Sequence, residues 1–347
     1  MDHARDPGEG GSASDSTLPD PELQAFLSDI EDRVQRRLTE QLKRVPDVPP
    51  LRTGITTQVA AGGKRLRAAL AIIASELFGE PAGTCLDFAA AIEHLQNLSL
   101  IHDDIADGDR ERRSQTAMWV RHGVGHAVNI GDGFLPLVTL SILEAPYADA
   151  VKLRLFQLLA EYGLEMVEGQ TLDLNLRAKT DVSLQDYFDC TAKKTGALLS
   201  LATVGGAVIG GGHDEHLVLL REFSTLAGVA FQIRDDLLDV EGGKGRRCGS
   251  DVLEGKRTIL TVHAAQHAGH RRRAKLFAIL DKPRAAKSPA EVRWVLDLYH
   301  DLGTDAFAHS VGGELLDEAS QYLFRLPDTT AKYRLLRLAR YLGARRH

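Results

Sequence analysis

From Pro21 onward the chain is written almost wholly in helical period, and that constrains it more than any other feature. Leu23, Phe26, Leu27, Ile30, Val34 and Leu38 recur at three- and four-residue spacing, which gathers them on one face of a helix. A break at Pro46, Pro49 and Pro50 ends this first segment. Further Ala- and Leu-rich helices are expected over Arg67–Leu77, Leu86–Ala106, His126–Leu143, Ala148–Gln170, Ser183–Ile209 and His216–Val240, with three more between Thr258 and the C-terminus. Alternating apolar and polar residues are nearly absent, so neither half-buried strands nor a strand–helix rhythm is available. The expectation is an all-α fold. Residues 21–347 are expected to form a single large helical domain, and residues 1–20, rich in Gly, Ser, Asp and Pro, a disordered leader.

Composition removes several function classes. Lys and Arg total 42 and Asp and Glu total 48, for a net charge of −6 with no basic domain, so no nucleic-acid partner is expected. The three cysteines, Cys85, Cys190 and Cys248, are scattered. That spacing suits neither a disulfide framework nor a zinc ribbon and fits a reducing compartment. The first residues are acidic and polar, unlike a signal peptide. No uninterrupted apolar run reaches the ~18 residues of a transmembrane segment. A cytoplasmic protein is expected.

Two clusters carry the chemistry. Asp103-Asp104-Ile105-Ala106-Asp107 and Asp235-Asp236-Leu237-Leu238-Asp239 both spell DDxxD, and each closes an apolar helical run. Positions i and i+4 share a helix face, so Asp103 points with Asp107 and Asp235 with Asp239. Like charges at that spacing are unfavourable, and aspartate is a poor helix-interior residue. A hard cation offsets the cost: Mg²⁺ takes oxygen ligands and bridges carboxylates to substrate phosphates. One such cluster alone could be a solvated acidic helix end. Two at equivalent helix ends suggest a carboxylate-lined box for Mg²⁺ and a diphosphate.

Cations follow the same order. Lys64 and Arg67 stand one turn apart in GGKRLR, Arg112 and Arg113 follow the first cluster, Lys194 and Thr195 lie mid-chain, and Arg246 and Lys256 follow the second cluster. Guanidinium groups fork onto phosphate oxygens, and lysines supply point charges. As a set they could neutralise two diphosphates.

These residues resemble the trans-isoprenyl diphosphate synthases, or polyprenyl synthetases. The resemblance rests on an ordered set: GGKRLR at 62–67, LIHDDIAD at 100–107, Arg112-Arg113, GQTLDL at 169–174, KTG at 194–196, FQIRDDLLD at 231–239 and GSDVLEGKRT at 249–258. It implies long helices around a deep central cavity, the isoprenoid synthase type of fold, usually in a homodimer. It implies Mg²⁺-dependent condensation of isopentenyl diphosphate with an allylic diphosphate.

By the same resemblance, Asp103 and Asp107 would ligate two Mg²⁺ ions with Asp104 in support. Asp235 would ligate a third, with Asp236 and Asp239 nearby. Arg112, Lys194 and Lys256 would hold the allylic diphosphate. Lys64, Arg67 and Arg113 would hold isopentenyl diphosphate. Thr195 and Gln232 would lie beside the reacting carbons. The chain departs from the family at Gln96, where histidine is usual and where Gln can still donate to a phosphate oxygen. It also departs at Ser114-Gln115-Thr116 in the loop after the arginine pair, and at Arg246, which replaces a lysine and keeps its charge.

Leu98 and Ser99 lie one turn before Asp103, and Leu95 lies one turn deeper. They are expected to line the tunnel for the growing chain. None is aromatic, which favours the twenty-carbon geranylgeranyl diphosphate, with farnesyl or longer products open and a terpene cyclase on the same fold as the more distant alternative. A non-catalytic partner subunit would have no need of all six aspartates. His263, His267 and His270 have helical spacing but no acidic companion, so a polar helix face is expected there.

Overall fold

The computed structural model describes residues 20–113, 115–242 and 248–344. The expected leader, Asp20 excepted, and the expected binding residue Arg246 lie outside the described residues. Asp20 opens the first helix: its carboxylate accepts the Leu23 amide at 3.0 Å, and Pro21 sits in the first turn where it forfeits no helical bond.

The helices in order are α1 (Pro21–Gln41), α2 (Leu51–Ala60), α3 (Leu66–Glu76), α4 (Leu86–Asp107), α5 (Met118–His122), α6 (Val124–Asp132), α7 (Phe134–Leu143) and α8 (Asp149–Leu176). Then come α9 (Leu184–Thr191), a π-helical turn (Ala192–Gly196), α10 (Ala197–Ile209), α11 (Asp214–Glu241) and α12 (Ser250–Glu254). The rest is α13 (Ile259–His267), α14 (His270–Leu280), α15 (Pro289–Asp301), α16 (Thr304–Phe324) and α17 (Thr330–Ala344). A two-residue ladder, β1 (Glu111–Arg112) with β2 (Gln115–Thr116), follows α4. Helix covers 78% of residues and strand 1%, so the all-α expectation holds.

The helices at the centre are apolar all round, as a fully surrounded helix must be. In α3, Leu70, Ile72 and Ile73 are buried, and in α10 nearly every residue is buried. The two lie against each other, and Gly206 faces the Ala71 carbonyl so closely that no side chain fits between them. α11 crosses between two packed regions. Phe231 joins the larger core, which runs from Leu23 of α1 to Leu342 of α17, and Ile233 and Leu237 join a second core built with Ile259, Leu276 and Val295.

Two expectations need correction. The stretch His126–Leu143 is not one helix, because Gly133 divides it between α6 and α7. The segment from Thr258 onward holds five helices rather than three, divided at Gly269, at the proline-bearing 283–289 connection, at Gly303 and near Pro327. The stretch Val124–Leu143 is long and apolar enough to cross a membrane by composition. Ala127, Ile130, Phe134, Val138 and Ile142 nevertheless pack into the protein core, which identifies it as a core element with one open face.

Candidate active site

The C-terminal ends of α4 and α11 open into one cavity of about 1550 Å³. Asp103 and Asp107 line it from α4, and Asp235, Asp236 and Asp239 line it from α11. Asp104, 4% exposed, is instead engaged by the Arg112 guanidinium. The two clusters therefore face a shared space, as their spacing suggests.

The remaining walls bring in the expected cations. Gly62 and Gly63 have φ of 67° and 142°, a path open to residues without a Cβ. That bend lets the Arg113 guanidinium donate to the Gly62 carbonyl, where a Cβ on Gly63 would come within 3.0 Å of it. Lys64 Nζ donates to Tyr341 Oη at 2.8 Å, and Arg67 lies over the Phe231 ring at 5.7 Å. Lys194 and Thr195 sit on the π turn. Gly169 abuts the Lys194 backbone, and a Cβ on Gly228 would lie 2.6 Å from Gly196 Cα. The turn is thus held by close backbone contact, a recurrent setting for π-bulges at functional sites.

A hydrogen-bonded chain runs along the floor of this wall. Thr195 Oγ1 donates to Gln232 Oε1 at 3.1 Å, Gln232 Nε2 donates to Asp236 Oδ1 at 3.0 Å, and Tyr187 Oη donates to Asp236 Oδ2 at 2.8 Å. Asp239 accepts the amides of Ser250 and Asp251, both at 3.0 Å, at the start of α12. Leu95, Leu98 and Ser99 line the cavity below Asp103, in company with Met166 and Val167 of α8. Gln96 also lines it.

Charge is crowded here. Lys256 Nζ lies 2.6 Å from Glu254, 3.0 Å from Asp251 and 3.8 Å from Asp107. Arg177 Nη2 reaches Asp107 at 2.6 Å and Asp173 at 3.1 Å, and Lys194 Nζ reaches Asp173 at 2.7 Å. Burial pushes the carboxyl of Asp103 up, opposed by Lys194 and reinforced by Asp107. Burial raises Asp104 to about 6 against the pull of Arg112. Burial, then Asp251, raises Asp239 to about 7, and burial raises Glu254 to about 7. Asp173 is buried too, but Lys194 and Arg177 outweigh that and hold it low.

The donor set suits a hard divalent cation. Every candidate ligand is a carboxylate oxygen, and burial raises several of these carboxyls because their negative charge lacks full compensation. An added dication reverses that penalty. Asp107, Asp109 and Glu254 can bring one oxygen each within 4.8 Å of one another, although Lys256 and Arg284 already occupy that corner.

A family profile described as polyprenyl synthetase matches residues 49–299. The chain belongs to the polyprenyl synthetase family. Its relatives include a short chain isoprenyl diphosphate synthase of Methanothermobacter thermautotrophicus, 31% identical over 96% of this chain and 97% of the relative. A geranylgeranyl pyrophosphate synthase of Geoglobus acetivorans is 31% identical over 94% of this chain and the whole of the relative. The solved geranylgeranyl pyrophosphate synthetase of Pyrococcus horikoshii superposes with a TM-score of 0.84 at 28% identity, covering 93% of this chain and 98% of that one. The fold is therefore the isoprenoid synthase type, and the chain is a prenyltransferase.

Within this polyprenyl synthetase the structure gathers all the described site residues around one cavity, with Asp104 set back behind Arg112. It also reveals residues that sequence reasoning missed. Asp173 sits within GQTLDL and Glu254 within GSDVLEGKRT, and each was within reach of the sequence but unassigned. Arg177 stands four residues after Asp173 on one helix face, a readable ion-pair signal. Tyr187, Asp109 and Arg284 carry no local signal. Beyond Arg113, Gln115 and Thr116 pair back onto Arg112 and Glu111 as the short β1–β2 ladder, with Arg113 itself at φ 51°. The expected polar histidine face is corrected: His263 is 9% exposed and stacks on Phe307 at 4.1 Å, while His270 begins a separate helix.

Proposed function

We propose that this enzyme condenses isopentenyl diphosphate with an allylic diphosphate and releases the twenty-carbon geranylgeranyl diphosphate. The observation that carries the reading is one cavity faced by two aspartate-bearing helix ends, with apolar residues below the first and cations around both. Asp103, Asp107, Asp235 and Asp239 would hold Mg²⁺. Bound there, Mg²⁺ supplies Lewis-acid stabilisation of a departing diphosphate.

The protein's own groups do the rest. Arg112, Lys194 and Lys256 hold the allylic diphosphate, and Lys64, Arg67 and Arg113 hold isopentenyl diphosphate, so that the two reacting carbons meet in a fixed orientation. The allylic C–O bond breaks, and its electron pair leaves with the diphosphate. The isopentenyl double bond then forms the new C–C bond, and a proton passes from the adduct to the released diphosphate. Thr195 and Gln232 turn oxygen dipoles toward the positive carbon. Leu95, Leu98 and Met166 keep water from it.

The product grows past Leu98 and Ser99. Val167 lines the cavity and is 65% exposed, so the apolar end opens toward the outer face of α8. Leu135 and Leu143 on α7 are exposed, and Leu153, Leu164, Val167 and Leu174 are exposed at helical spacing along α8. A surface of this kind marks an interface, and we read it as the seat of a second copy in a homodimer. Light scattering should give twice the chain mass.

The test is a product assay with Mg²⁺, isopentenyl diphosphate and, separately, dimethylallyl, geranyl and farnesyl diphosphates, read by mass spectrometry after dephosphorylation. Geranylgeraniol as the dominant alcohol is the expected result. Cyclic hydrocarbons made without isopentenyl diphosphate would mean a terpene cyclase. Leu98→Phe should shorten the product by at least one five-carbon unit, and an unchanged length removes Leu98 from the tunnel.

A further inference from the structure

Arg284 lies on the connection between α14 and α15, 175 residues from Asp109 in sequence. That connection is fastened to the turn between α12 and α13 on both sides of Arg284. Before it, Arg257 Nη2 pairs with Asp281 at 2.5 Å, and Gly255 lies so near the Leu280 carbonyl that a Cβ would stand 2.5 Å from it. After it, Lys287 Nζ donates to the Leu253 carbonyl at 2.7 Å. From this base the guanidinium crosses to the end of α4. Its Nη1 donates to Asp109 Oδ1 at 2.8 Å and to the Asp107 carbonyl at 3.3 Å, and lies 3.8 Å from Glu254 of α12.

The contact at Asp107 is to the backbone, so Arg284 leaves that residue's carboxylate oxygens to other partners. Asp109 is held from its other side by Arg112, 3.5 Å away, and Arg112 in turn holds Asp104. The helix ends at Gly108 in a left-handed conformation, φ 69°, where the last carbonyls have no intrahelical partner. A charged donor on the Asp107 carbonyl, and a second bond to Asp109 just beyond the cap, fix the last turn of α4 against α12.

We propose that Arg284 is a positioning residue that locks the carboxylates of Asp103 and Asp107 in the orientation a divalent cation requires. Groups that orient a metal ligand without touching the metal commonly change its affinity by about tenfold or more. The proposal rests on the metal reading given above.

The test measures Mn²⁺ binding to the full chain by electron paramagnetic resonance, with no substrate present. Wild type, Arg284→Gln, Arg284→Lys, Asp109→Asn and the double variant Arg284→Gln/Asp109→Asn are compared. Arg284→Gln should weaken Mn²⁺ binding about tenfold, and Arg284→Lys should recover part of the loss. Removing a positive charge beside carboxylates would by itself tighten a cation, so weaker binding is not a charge effect. Asp109→Asn weakens binding for two reasons, lost charge and lost anchoring. The decisive quantity is therefore the double variant, whose loss should be smaller than the sum of the two single losses because the two residues share the Arg284–Asp109 contact. Binding by Arg284→Gln that is equal to or tighter than wild type overturns the role of Arg284 while leaving the metal reading intact. Additive losses in the double variant overturn it as well. Failure of the wild type to bind Mn²⁺, alone and with inorganic diphosphate added, overturns the metal reading and this proposal together. If Arg284→Gln does not fold, Arg284→Lys and Asp109→Asn carry the same comparison, and a lysine variant that binds as wild type does, beside a wild-type-like Asp109→Asn, overturns the proposal.

Discussion

At the end of α4 the aspartates meet cations: Arg112 engages Asp104, and Arg177 and Lys256 approach Asp107. At the end of α11, Asp236 and Asp239 of the same five-residue pattern meet neutral donors among the described residues. Tyr187 and Gln232 hold Asp236, and the amides of Ser250 and Asp251 hold Asp239. Guanidinium and ammonium groups answer charge with charge, whereas hydroxyls, amides and N–H groups offer only dipoles. The consequence is visible nearby. Asp173 and Asp109, beside the first cluster, are held low by their cations in spite of burial; within the clusters burial raises Asp104, with Arg112 beside it, to about 6 and Asp239 to about 7. Identical sequence patterns thus seat their carboxylates differently: Asp104 and Asp107 against cations, Asp236 and Asp239 against neutral donors.

The strongest way to break this distinction is to neutralise one aspartate in each wall. Asp103→Asn removes a cavity-facing carboxylate and should lower kcat at saturating Mg²⁺ by at least about a hundredfold, on the scale of losing a group that stabilises the departing charge. Asp236→Asn leaves an amide between Gln232 and Tyr187, both oxygens of the original carboxylate having been taken up by those neighbours. Its loss should be about tenfold, through displacement of Gln232. Equal losses in the steady-state assay would make the two clusters equivalent.

Next in size is Lys256→Met. It strips a shared cation from Asp107, Asp251 and Glu254 and leaves buried carboxylates uncompensated, which costs about 3 kcal/mol. Denaturant melts of the metal-free protein should show the loss, and Mg²⁺ should restore part of it by replacing the missing charge. No change on adding Mg²⁺ would mean that the corner around Glu254 is not continuous with the metal site. Tyr187→Phe comes third. It leaves the buried Asp236 short of one donor, at about 1–3 kcal/mol, and the same melts should register it with little response to Mg²⁺.

The sequence carried the carboxylates, their helix faces and most of the cations, because those signals are local: i and i+4 spacing, apolar flanks, and glycines before a basic pair. It carried less of what surrounds them. Lys194 and Thr195 were legible as residues, but the π turn that presents them depends on Gly169 and Gly228 from other helices. Arg284 and Tyr187 reach the site only through tertiary packing, and nothing in their own neighbourhoods marks them. The helix expected over His126–Leu143 differs from the structure because glycine, tolerated inside a helical pattern, serves as the break at Gly133. His263 was misread because helical spacing reports a shared face but not what covers it, and Phe307 lies on a helix more than forty residues away.

The smallest expected effect probes the support beneath the second cluster. Ser250 and Asp251, which hold Asp239, belong to α12, and Lys287 ties the end of that helix through the Leu253 carbonyl. Burial, then Arg257, pushes the Lys287 ammonium down to about 8, against an ordinary lysine value of ~10.4 in the unfolded chain. Below pH 8 the folded protein therefore carries a charged lysine in a place that disfavours it. Between about 8 and 10.4 the unfolded chain binds more protons than the folded one, so this group's contribution to stability rises with pH across that window. Lys287→Met has no such slope. Groups remote from Lys287 titrate alike in both proteins, and its neighbour Glu254 titrates near 7, so above pH 8 the difference in melting temperature between wild type and Lys287→Met follows the lysine. Wild type should gain on the variant by a small amount from about pH 8 to pH 10. A constant difference would show that the charge is well solvated and that the turn under Asp239 yields to it.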